Sequence, residues 1–273
     1  MISVVGLRKT YGGLNACDNL TLAIQPGSTT AIVGPNGAGK STLVQLLSGV
    51  VLPDAGTITF GAADITAFSS AHRFSLGMVR TFQTARVFPG LSVLDSVLIG
   101  AYNGLLYETQ AYSLRGTVRD ATASLLQLPS WRARRKEAER RALETIEWFG
   151  DRLKPRLKEF TFSLSYANRR RVEIARALAS RPKFLMLDEP TAGMNPTETQ
   201  ELADLLQRVK DGNPELTMVF IEHKMNVVRQ MSQRVVVMDA GRIIADDTPD
   251  EALDDPAVIE AYLGSGGKHA AQP

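Results

Sequence analysis

The sequence is short of several things, and each shortage excludes something. Cysteine occurs once, at Cys17, which rules out an internal disulfide and fits a reducing compartment. No run approaches the roughly 18 apolar residues that cross a bilayer. The opening, MISVVGLRKTYGG, lacks the basic stretch followed by an apolar one that marks a secretory signal. Net charge is only +2, too little to argue for nucleic acid or anionic lipid as partner. What is present is ordinary for a globular protein: 44% hydrophobic and 22% charged residues in a chain of 273. The expectation is a soluble, cytosolic chain of one large domain or two lobes.

Strand-like runs bounded by turn residues come early: ISVV (2–5), TLAI (21–24), TTAIV (29–33) and TITF (57–60). Between the last two, STLVQLLSGV has helical apolar spacing. Ser92 opens SVLDSVLIGAY with Asp95 as a capping-box partner, and Leu94, Val97, Leu98 and Ala101 make one apolar helix face. Residues 103–130 are less regular, and Pro129 is expected to break any helix there. WRARRKEAERRALETIEWFG (131–150) reads as a helix with Ala138, Ala142, Ile146 and Phe149 on its buried stripe. Its Glu137–Arg141 and Arg140–Glu144 pairs stand at i, i+4, so the basic side is a self-paired solvated face rather than a nucleic-acid surface.

After FLMLDEP (184–190), strands and helices alternate. Asn195 caps a helix, Pro196 takes its first position and Glu198 completes the box. Leu202, Leu205, Leu206 and Val209 form that helix's stripe. TMVFI (217–221) and RVVVM (234–238) are continuous apolar strands of the kind buried in a parallel sheet. The tail GSGGKHAAQP has nothing to pack and is expected to be disordered. The pattern is α/β, with a helical insertion near residues 87–169.

Chemistry concentrates in a few stretches. GPNGAGKST, that is Gly34, Pro35, Asn36, Gly37, Ala38, Gly39, Lys40, Ser41 and Thr42, follows a strand and opens a helix. That context marks a phosphate-binding P-loop. Its glycines let backbone N–H groups curl round a phosphate chain, Lys40 would reach the β- and γ-phosphates, and Ser41 would ligate Mg²⁺. FLMLDEP ends a buried strand on two acids. Asp188 would hold Mg²⁺ through water, and Glu189 would orient the attacking water. Gln83, ending MVRTFQ, and His223, ending TMVFIEH, follow strands of the same kind and would also face the γ-phosphate. Tyr11 is either an adenine-stacking ring or an ordinary half-buried tyrosine. Ser165, before Tyr166, is a helix N-cap with Asn168 at the box position, and a capped N-terminus is also an anion site. A second phosphate site beside the P-loop suggests a phosphate bound in trans.

In this order, the P-loop, Gln83, the Ser165 helix, Asp188–Glu189 and His223 resemble an ATP-binding-cassette (ABC) ATPase over residues 1–264. The resemblance implies a P-loop NTPase core with a small antiparallel β subdomain (1–86 and 170–264) and a helical subdomain (87–169), leaving 265–273 as a disordered tail. It implies ATP and Mg²⁺, with Ser41, Gln83 and Asp188 as metal ligands, and with Glu189, His223 and Gln83 as catalytic residues. Tyr11, the P-loop residues, Ser165 and Ala167 would contact nucleotide. The family's general motif is Leu-Ser-Gly-Gly-Gln; here Tyr166, Ala167 and Asn168 replace the last three residues.

RTFQTARVFPGLSVLDSVLIG, LSYANRRRVEIARAL, DEPTAGMNPTE, IEHKM and GRIIADDTPDEALDDPAVIEAYLG are similar to the ATPase subunits of branched-chain (hydrophobic) amino acid importers. That likeness implies two membrane permeases, a second cassette subunit (a mixed pair favoured, an identical pair left open), an external solute-binding protein and no nucleic acid. It implies a peripheral place on the cytoplasmic face of the inner membrane. The surface from Gln83 to Val93 would be the permease dock, with Phe88 either part of it or plain core. Alternatives are a soluble non-transport ABC ATPase and the ATPase subunit of a lipid exporter.

Overall fold

The computed structural model describes residues 1–108 and 121–267. The chain forms two compact units: Met1–Arg73 with Met186–Pro190 and Lys210 onward, and Phe74–Leu185 with Thr191–Val209. The second is wider than the expected 87–169 insertion.

In the first unit, β1 (Ile2–Tyr11) and β2 (Leu14–Ile24) pair antiparallel. They run further than the apolar cores 2–5 and 21–24 because Gly12 and Gly13, at φ +54° and +87°, close a tight two-residue hairpin. With β4 (Ala55–Phe60) and β5 (Ala63–Asp64) they make a sheet of order β2-β1-β4-β5. The other sheet of this unit is built on β3 (Thr29–Val33), parallel to both β8 (Thr217–Ile221) and β9 (Arg234–Asp239). Its order is β10-β9-β3-β8-β7, where β10 (Arg242–Asp247) runs antiparallel to β9 and β7 (Phe184–Asp188) enters through Met186–Asp188. Every residue of β3 and β8 is buried, as expected for central strands; each such Val, Ile or Phe contributes about 1.5–3 kcal/mol.

Helix α1 (Lys40–Leu47) leaves β3 through the glycine loop. Its far end is fixed by Arg73 of α2 (Ser70–Ser75), whose buried guanidinium donates to the carbonyls of Leu46, Leu47, Ile65 and Thr66. Burial pushes that guanidinium down to about 10. The last turn of α1 thus has partners for carbonyls that a helix end leaves open, and the loop at its other end sits on a fixed rod. Helices α7 (Met225–Met231), α8 (Pro249–Leu253) and α9 (Pro256–Gly267) complete the unit. Helix α9 runs on through Gly267, into the stretch expected to lack structure, because extending a formed helix costs far less than starting one. Residues 268–273 lie outside the described residues.

In the second unit, β6 (Met78–Arg80) precedes α3 (Val93–Glu108). The Ser92 box forms: Ser92 Oγ accepts the Asp95 N–H at 3.1 Å and donates to its carboxylate at 2.6 Å. The buried face of α3 is displaced from the expected one. Val93, Val97, Ala101 and Leu105 are buried, while Leu94 and Leu98 are half-exposed. Gly100 and Gly104 complete that face. A Cβ on either would lie 2.0 Å from the Arg176 carbonyl or 2.5 Å from that of Ser180, so the two glycines let α3 lie against α5 (Tyr166–Ala179).

Pro129 starts a helix instead of breaking one: α4 spans Pro129–Trp148 with Pro129 in its first turn, where the missing N–H costs nothing. The irregular reading of 103–130 falls partly on 109–120, outside the described residues. Ala138, Ala142, Ile146 and Phe149 are buried, and Arg140 bonds to both Glu137 and Glu144, as the self-paired reading of α4 requires. Helix α6 (Pro196–Asp211) carries the Asn195 box in full: Asn195 Oδ1 takes the Glu198 N–H at 2.9 Å, and Glu198 Oε2 takes that of Asn195 at 3.2 Å.

Candidate functional site

The first unit brings the P-loop, the acid pair and His223 to one edge of its parallel sheet, where β3, β7 and β8 end. The loop's shape is dictated by backbone crowding. Gly34 holds φ +142°, and a Cβ there would lie 2.0 Å from the Met238 carbonyl. Gly39 caps α1 at φ +99°, where a Cβ would lie 2.1 Å from the Ala16 carbonyl. Gly37, at φ +83°, faces open space. Only glycine fits the first two positions. Asn36, Gly37 and Ser41 are exposed, Thr42 half-buried, and Pro35 and Ala38 buried.

Lys40 is 6% exposed and donates to the carbonyls of Gly34 at 2.7 Å and Pro35 at 2.8 Å. Burial holds its amine below the usual range, against the pull of Glu189 and Asp188. A buried cation facing two carboxylates beside a curl of amides is the environment a polyphosphate needs. Asp188 is buried at the end of β7. Glu189 follows it at φ +49°, its N–H bonded to the Ile221 carbonyl at 3.0 Å. Glu189 Oε1 and His223 Nε2 stand 3.2 Å apart.

Sequence reasoning missed two neighbours. Glu222, buried, accepts the His223 N–H at 3.0 Å and so fixes that residue's backbone. Tyr262 of α9 lies against the Gly34 backbone, its phenol raised by burial. An acid just past the end of an apolar strand and an aromatic in a distant helix carry no motif, so neither gave a signal. Tyr11 is 46% exposed at the hairpin tip, with Lys9 Nζ 5.6 Å from the ring centre.

The second unit carries the rest. Gln83 is exposed and lies past the end of β6 rather than closing the strand. Ser165 caps α5 as expected, its side chain accepting the Asn168 N–H at 3.3 Å. Asn168 does not mirror that bond; its carbonyl oxygen takes one from Arg171 at 3.2 Å. Arg169 bonds to the carbonyls of Leu164 and Phe162, fixing the loop ahead of the cap. Ala167 is buried, while the exposed Tyr166 lays its ring on Gly193. Phe88 is not core: it is 46% exposed, with the Arg176 guanidinium 5.1 Å from its ring.

A glycine loop between a parallel strand and a helix, a buried lysine and an acid pair at the end of β7 in the same sheet define a P-loop NTPase. The ABC transporter family model matches residues 17–192, and the model for the branched-chain amino acid ATP-binding cassette transporter matches 242–268. The high-affinity branched-chain amino acid transport ATP-binding protein LivG of Escherichia coli K12 is 36% identical, covering 97% of this chain and 98% of its own. The corresponding protein BraF of Pseudomonas aeruginosa is 33% identical with the same coverage. A nucleotide-free ATP-binding cassette from an ABC transporter superposes with a TM-score of 0.77 at 29% identity, covering 96% of this chain and 98% of that one. The ADP conformation of the cassette MJ1267 also gives 0.77, at 30% identity over 97% and 98%. The chain belongs to the ABC transporter family, as one of its ATP-binding, ATP-hydrolysing cassettes.

Proposed function

We propose that this chain is the energy-coupling ATPase subunit of an importer for branched-chain or other hydrophobic amino acids. The solute class is supported by the names of LivG and BraF and by the C-terminal family match. The observation that carries the chemistry is the 3.2 Å contact of Glu189 with His223, on the strand ends beside the P-loop.

In this reading the amides from Gly34 to Thr42 wrap the phosphates, and Lys40 turns from its two carbonyls to the β- and γ-phosphates. Tyr11 stacks on adenine. The Ser41 hydroxyl and the Asp188 carboxylate are hard oxygen donors that leave positions for water and phosphate oxygens, a set that fits Mg²⁺; the Gln83 amide oxygen is a further candidate ligand of the same kind. Mg²⁺, when bound, neutralises charge on the β- and γ-phosphates. Glu189 orients and polarises the attacking water, and His223 holds that carboxylate in place while facing the γ-phosphate.

Ser165 and the Ala167 N–H bind the nucleotide of a second cassette. Tyr166, Ala167 and Asn168, in place of the general motif, favour a mixed pair over an identical one. The pair sits beneath two permeases on the cytoplasmic face of the inner membrane, Phe88 and Pro89 forming part of the dock, and an external binding protein delivers solute. A peripheral place is supported by the described residues, none of whose helices is long and apolar enough to cross a membrane.

The test is recovery of the tagged chain from detergent-solubilised membranes of its source. Two hydrophobic permeases and a second cassette protein are expected. Ribosomes, DNA or no membrane partner would overturn the transport reading and leave the ATPase standing.

A further inference from the structure

Helix α5 does more than present Ser165. Three residues along it are wired to the segment that carries Gln83. Glu173 Oε1 accepts the N–H of Phe82 at 3.2 Å, and Arg170 Nη1 donates to the carbonyl of the same residue. Arg170 and Glu173 bond each other at 2.7 Å, with side chains 1% and 2% exposed. One turn on, Arg176 donates to the Arg86 carbonyl at 2.6 Å, and Arg86 in turn stacks its guanidinium 4.0 Å from the centre of the Phe82 ring. Both backbone groups of the residue preceding Gln83 are therefore held by one buried ion pair.

Burying an ion pair is a poor way to gain stability, because desolvation offsets the Coulomb attraction and an apolar pair of similar volume does as well or better. The pair's partners suggest another use. No apolar replacement could bind the Phe82 N–H and C=O together, and those two bonds set where the next residue points. We propose that Arg170 and Glu173 are positioning residues that hold the Gln83 loop in register with the Ser165 end of α5, so that Gln83 meets the nucleotide of this chain and Ser165 that of the second cassette as one piece. This rests on the role given to Gln83 above.

The test uses the full chain with Arg170→Met and Glu173→Leu combined, which removes both charges of the pair at once. A loop misplaced by about 1 Å can cost on the order of 100-fold in rate. The expected result is a cooperative melt, a Kd for ATP within about threefold of wild type, since the P-loop is untouched, and ATP turnover reduced by about 10- to 100-fold. In a Gln83→Ala background the same pair of changes should cost no further turnover, because the residue being positioned is gone.

Wild-type turnover in a folded Arg170→Met/Glu173→Leu variant overturns the proposal alone. So does a loss that multiplies with that of Gln83→Ala, which marks a merely structural pair. Gln83→Ala with wild-type turnover removes Gln83 from the site, and the proposal with it. Should the double variant not fold, Glu173→Gln enters the same cycle with the same expectations. It keeps the volume but offers one acceptor oxygen to two donors.

Discussion

Glu189 combines an unfavourable backbone with the carboxylate on which turnover is proposed to depend, and two substitutions separate these roles. At φ +49° it occupies the left-handed region, which costs a residue with a Cβ roughly 1–2 kcal/mol. The bond from its N–H to the Ile221 carbonyl holds it there. Glu189→Gln keeps that strain and removes the charge; Glu189→Gly removes both. Glycine relieves the strain but returns about 0.4–1 kcal/mol through the greater freedom of the unfolded chain. The net gain for glycine over glutamine is about 1 kcal/mol. For a chain of 273 residues, an unfolding entropy of roughly 0.6 kcal/mol/K turns that into a Tm about 2 °C higher. Both variants should lose about 10²- to 10⁴-fold in turnover, the usual worth of a positioned acid–base group. Both should still bind ATP, because Lys40 and the loop amides are unchanged. Calorimetry, equilibrium ATP binding and phosphate release on the three proteins give the answer. Equal Tm values for the Gln and Gly variants would refute the strain argument, and undiminished turnover in Glu189→Gln would remove Glu189 from the chemistry.

Gly39→Ala puts a methyl 2.1 Å from the Ala16 carbonyl at φ +99°, so ATP affinity should fall at least tenfold (about 1.4 kcal/mol); titration calorimetry reads it. Asn195→Ala should cost about 1 kcal/mol in urea unfolding through loss of the cap. Asn195→Asp should keep both stability and turnover, and a change in turnover would assign Asn195 a duty beyond capping. Burial pushes the Cys17 thiol from 9.0 up to about 12. As pH rises past 9, the unfolded chain ionises first, so this thiol's contribution to stability is whole below 9 and lost by about 12. The native chain should accordingly resist iodoacetamide at pH 8 and label once unfolded, as mass spectrometry will show; rapid native labelling would contradict the burial.

What the sequence made legible was local. The P-loop, the Ser165 cap and the Asn195 box each close their bonds within a few residues, so spacing alone identifies them. The α3 face was misread because Gly100 and Gly104 carry no hydrophobic weight, although their lack of a Cβ is what lets the Arg176 and Ser180 carbonyls approach. Pro129 was misread because a proline ends or starts a helix according to what precedes it.

Two ion pairs draw the limit most sharply. Glu137–Arg140 and Arg170–Glu173 are both acid–arginine pairs at i, i+3 in helices rich in arginine. The first has side chains 33% and 50% exposed, the second 1% and 2%. Nothing within either helix predicts that difference. It comes from Phe82, more than eighty residues upstream of Arg170, whose backbone supplies the acceptor and the donor that make a buried pair tolerable. A charge pair on a helix is a solvated face until some distant backbone needs it, and only the tertiary structure says which.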